Sequence, residues 1–90
     1  MSMAQDRVTR LRERLTASLA PEQLEISDDS HRHVGHAGAR GGGHFTVRIV
    51  AQAFKDKPLL ERHRMIYDLL HDMMQSEIHA LSIQARSPDE

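Results

Sequence analysis

From Gln5 to Ala20, Val8, Leu11, Leu15 and Leu19 recur at steps of three and four. That spacing draws one stripe along an amphipathic helix, which Pro21 ends. The period then drops to two. Leu24 and Ile26 alternate with Gln23, Glu25 and Ser27, and Phe45, Val47, Ile49 and Ala51 alternate with Thr46, Arg48, Val50 and Gln52. Two strands with one buried face are predicted. After Phe54 the run KDKP reads as a turn, with an extra short helical turn near residues 57–60. A helix follows from Leu59 to about Gln75, with Leu59, Ile66, Leu69, Leu70 and Met73 on one face and Tyr67 and Met74 at its margins. The adjacent methionines read as core filling. Period two returns at Leu81, Ile83 and Ala85, and Pro88 ends this third strand.

The order is α-β-β-α-β. It predicts a small α+β domain with a three-stranded mixed sheet and helices packed on one face. A strand reached through a helical crossover pairs parallel with the strand before it, if the two are neighbours. Ninety residues suit one domain, with a folded core over about 5–87. Between the first two strands, residues 28–43 form a connection too long for a simple hairpin. It reads as a flexible histidine- and glycine-rich loop.

Composition narrows the function. No apolar run is long enough to span a bilayer and the N-terminus has no secretory leader pattern, so the expected location is the cytoplasm, off the membrane. A net charge of −1 supplies no general attraction to nucleic acid. The arginines are uneven, however. Arg7, Arg10, Arg12 and Arg14 crowd the first helix, as a solvated basic face or as phosphate contacts. The chain has no cysteine, hence no disulfide, no thiolate nucleophile and no thiolate metal ligand. No nucleophile–base–orienter set can be assembled, so an enzyme is not expected.

The segments FKDKPLLERHRMIYDLL and EIHALSIQARSP, with ISDDSHRH and GGGHFTVRIV before them, resemble the signature of the BolA family. The resemblance runs over about residues 5–88. It implies a fold like the class II K-homology domain. It also implies partnership with a monothiol glutaredoxin, in which a [2Fe–2S] cluster is held between the two proteins and the BolA side supplies histidines. A chain without sulfur donors can fill only part of such a cluster's ligand set, which agrees with a shared centre.

The family pattern makes His79, in the HAL motif, a metal ligand. It aligns His33 as the second, with His31 and His36 as rivals. Four of the seven histidines lie between Ser30 and His44, and that cluster could also take up Zn²⁺ or Cu²⁺ adventitiously. His44 reads as a strand-edge residue, His71 as a surface position, and His63 as a hydrogen-bonding residue that fixes its helix against the sheet. Arg62 and Arg64 are expected to face a partner. The expected role is an adaptor in iron–sulfur cluster assembly or trafficking, or in iron homeostasis. The expected state when free is a monomer, with a weak homodimer as the alternative. The competing reading is a K-homology-like DNA-binding transcriptional regulator that uses Arg10 and Arg14. Against it, no GXXG loop joins two helices.

Overall fold

The computed structural model describes residues 3–29 and 43–90. Helix α1 (Met3–Leu19) is followed by strand β1 (Gln23–Asp28), then by β2 (Gly43–Val50) and a one-turn 3-10 helix (Gln52–Phe54). Helices α2 (Leu59–Leu69) and α3 (His71–Ser76) lead to β3 (Ile78–Arg86). The sheet order is β1-β2-β3, with β1 antiparallel and β3 parallel to the central strand. The α+β class, the mixed sheet and the parallel crossover are therefore as the sequence pattern predicts.

Alternation along β2 divides the sheet into two unlike faces. Phe45, Val47 and Ile49 are buried. They meet Leu11 and Leu15 of α1, Ile66 of α2 and Met73 of α3 in one core. Their in-register neighbours Leu24, Ile26, Leu81 and Ile83 extend that layer. The intervening residues, among them Gln23, Glu25, Arg48, Gln84 and Arg86, are exposed on a face that no helix covers among the described residues. Burial of a Leu or Phe side chain stabilises by roughly 1.5–3 kcal/mol, so this single layer accounts for which way each strand faces.

Three details differ from the pattern. The short helical turn lies at Gln52–Phe54, not at 57–60, because Phe54 folds back to become fully buried. The chain then turns through Asp56, whose φ of 62° lies in the left-handed region that Asp tolerates. The predicted long helix is two. Leu70 breaks it at φ −107° and ψ 12°, which lets Leu70 and Met73 both reach the core. Leu59 does not join the buried face. It stands 64% exposed at the start of α2.

α1 is strapped to α3 by charge. Arg14 pairs with Asp72 at the start of α3, through Nη2 to Oδ2 at 2.6 Å and through a second contact, and also donates to the Leu69 carbonyl. Arg10 pairs with Glu77 just past the other end of α3. These two arginines, expected to meet phosphate in the nucleic-acid reading, are engaged within the chain instead.

Candidate metal centre

His79 owes its position to an irregularity in β3. Gly43 is opposite Ile78 and His44 is opposite Ala80, so His79 is an extra residue with no partner in β2. Ile78 is buried on the core side, and Ala80 sits on the open side in register with His44. A bulge of this kind re-aims a side chain, and here it leaves His79 exposed beside His44. The two imidazoles lie 5.0 Å apart between ring centroids, tilted by 45°.

Hydrogen bonds fix the ground beneath them. The Gly43 N–H donates to the Glu77 carbonyl at 3.0 Å, holding the first residue of β2 against the residue before β3. On the other side, the Asp29 N–H donates to the His44 carbonyl at 2.7 Å, and the Thr46 hydroxyl donates to Asp29 Oδ2 at 2.6 Å. Asp29 and Gly43, the described residues flanking 30–42, thus lie at the same end of the sheet as His79. The expected ligand His33 and its rivals His31 and His36 lie outside the described residues. Among the described residues no three His, Cys, Asp or Glu side chains gather around one point. What this end of the sheet offers is a pair of nitrogen donors, with Asp29 already taken up by Thr46.

The geometry reassigns two residues. Arg62, expected to face a partner, is 5% exposed. Its Nε donates to the Lys57 carbonyl at 2.8 Å and its Nη1 to the Ala85 carbonyl at 3.0 Å. Both Nη atoms meet the Glu90 carboxylate at 2.6 Å. Arg62 therefore fixes α2 against the sheet, the task expected of His63. A charge run in sequence says nothing about acceptors contributed from other elements, which is why the pattern misplaced it. Arg64 is exposed, as is His71, whose ring lies 3.3 Å from the Gln75 amide. His44, read as a strand-edge residue, stands in the central strand against His79.

The same ion pairs set the response to acid. Arg62, and then the Ser87 N–H, hold the Glu90 carboxyl down from 4.5 to about 2. Arg14 holds Asp72 down from 3.8 to about 2. A carboxylate depressed in the folded state stabilises the fold fully above its unfolded pKa, and that contribution is lost as pH falls toward the folded value. The urea midpoint is therefore expected to hold steady from pH 7 to about 5 and to fall between about 4.5 and 2. Glu90→Gln should lower the neutral plateau and make the acid drop shallower. An equally steep drop in that variant would show that Glu90 plays no part.

A mixed three-stranded sheet with helices on one face, and two imidazoles side by side at a bulge, define a small α+β domain. Residues 15–90 match the family described as BolA-like protein. The chain belongs to that family. It is 49% identical over 87 residues to SufE-like protein 1 of Arabidopsis thaliana, covering 90% of this chain and 24% of that protein. It is 41% identical over 90 residues to Protein BOLA1 of the same plant, covering 96% of this chain and 56% of the relative. The chain thus spans about a quarter and about half of these relatives' lengths. The solved BolA domain of SufE1 from Arabidopsis superimposes with a TM-score of 0.82 at 48% identity, covering 92% of this chain and 93% of that one.

Proposed function

We propose that this protein is an adaptor in iron–sulfur cluster assembly or trafficking, or in iron homeostasis, and that it lends imidazoles to a [2Fe–2S] cluster shared with a monothiol glutaredoxin. His79 is the anchoring ligand and His33 the second, with His44 holding the His79 ring in place. The observation that carries the reading is the exposed His79 imidazole, lifted onto the open face by a bulge, on a chain with no cysteine. Nitrogen donors without thiolates fit a partial share of such a cluster and not the whole of it. When bound, the cluster would supply one-electron chemistry at a potential raised by the histidine ligation. The chain's own part is to present imidazole nitrogens in place of thiolates. Asp29 and Gly43, the described residues on either side of the histidine-rich stretch, both lie at the His79 end of the sheet.

The reading is tested by mixing the protein anaerobically with a cluster-loaded monothiol glutaredoxin. Colourless alone, the protein should change the cluster's visible absorption and circular dichroism, saturating at equal amounts of the two proteins. A full complement of cluster assembled on the isolated chain, or spectra that do not change on mixing, would reject it.

A further inference from the structure

The outer edge of β3 carries backbone groups that no strand pairs with among the described residues. Ala51 donates to the Arg86 carbonyl, so Arg86 and the positions alternating with it, Gln84 and Ser82, turn their backbone toward β2. Leu81, Ile83 and Ala85 turn theirs outward. Two contacts agree: the Leu81 carbonyl accepts from the Tyr67 hydroxyl at 3.3 Å, and the Ala85 carbonyl accepts from Arg62 at 3.0 Å. Between those two points, alternation leaves the N–H and the carbonyl of Ile83 facing outward from an edge strand. Such an edge is a template for another chain.

A groove runs beside this edge, between the C-terminal half of β3 and the first turn of α2. Pro58, Leu59 and Ile83 supply its apolar side, and Lys57, His63 and Arg86 stand along it. Its one carboxylate, Glu90, is held by Arg62. The exposed Leu59 thus has a setting: it borders a cationic groove that runs along an open strand edge.

The geometry points to strand addition: an extended acidic segment of a partner protein pairs with β3 as a fourth strand. Its backbone bonds to Ile83, an apolar side chain rests on Leu59 and Pro58, and its carboxylates meet Lys57, His63 and Arg86. Main-chain bonds give such docking its affinity, and flanking side chains choose the sequence. A single-stranded nucleic acid would be drawn by the same cations, but among the described residues the groove has no Phe, Tyr or Trp platform for bases to stack on, and His63 is its one aromatic ring. The inference rests on strand order and groove chemistry, not on the iron reading. Because β3 carries His79 at its other end, a partner engaged there could also be gripped along this strand.

The test titrates the isotope-labelled full chain with a blocked heptapeptide of alternating glutamate and valine, acetyl-EVEVEVE-amide, followed by amide NMR. Shifts and slowed hydrogen exchange are expected at Leu81, Ile83 and Ala85. Methylating the peptide nitrogens that face the edge should abolish binding. The double variant Lys57→Glu, Arg86→Glu should weaken it at least fivefold while keeping the parent's thermal midpoint, and Leu59→Ser should weaken it less. Three results would overturn the inference: no shift on β3, equal binding by the N-methylated peptide, or equal binding by acetyl-KVKVKVK-amide. If a twelve-nucleotide thymidine oligomer moves these amides and the acidic peptide does not, the groove takes nucleic acid instead.

Discussion

Replacing His79 with alanine should leave a glutaredoxin-held cluster with the spectrum it has before this protein is added. The loss is expected to be complete, because no thiolate in this chain can substitute. His79 is exposed and lies outside the core, so the thermal midpoint of the variant should stay within about 2 °C of the parent. His33→Ala should also remove the spectral change. His44→Ala should weaken it, since the His79 ring loses its neighbour at 5.0 Å. His71→Ala is the control: exposed on α3 and bonded to Gln75, it should change nothing. An unchanged visible spectrum in the His79 variant's complex would remove this residue from the centre.

Arg62→Ala should be the most damaging single replacement of a charged residue. It strips the donor from the Lys57 and Ala85 carbonyls and leaves the Glu90 carboxylate without its bidentate partner. Charge-assisted, two-pronged pairs are among the stronger hydrogen bonds, and removing Arg62 leaves the buried Ala85 carbonyl without its donor. A fall in thermal midpoint on the order of 10 °C is expected. Arg62→Lys should recover less than half of it, because a single ammonium cannot reproduce the planar fork. Arg64→Ala, two residues away and exposed, should shift the midpoint by about 2 °C or less. Similar effects at both positions would mean that the buried network contributes nothing special.

These two expectations also mark how far the sequence could be read. Period-two and helical spacing located α1 and all three strands, because each buries one continuous face and burial is written locally. The crossover rule then paired β3 with β2 in parallel. The break at Leu70 left no trace, since neither glycine nor proline marks it and the reason for it is two side chains reaching one core. Leu59 fell on the helix's apolar stripe, but it sits in the first turn, at the open rim of the groove beside β3 and not in the core. Arg62 was misread because its acceptors come from β3 and from Glu90, 28 positions away. His79 was legible only through its resemblance to a family motif. The proximity of His44 was not legible at all, since it depends on one extra residue in a ladder formed by distant strands.

That extra residue means the His44–His79 pair is encoded by length as well as by chemistry. Swapping His79 for another amino acid removes a donor and keeps the frame. Deleting it would instead close the bulge: Ile78 and Ala80 would face Gly43 and His44 in a regular ladder, the downstream pairs would stay in register, and no imidazole would be left beside His44. Anyone transplanting the imidazole pair into another parallel sheet must carry the surplus residue along with it.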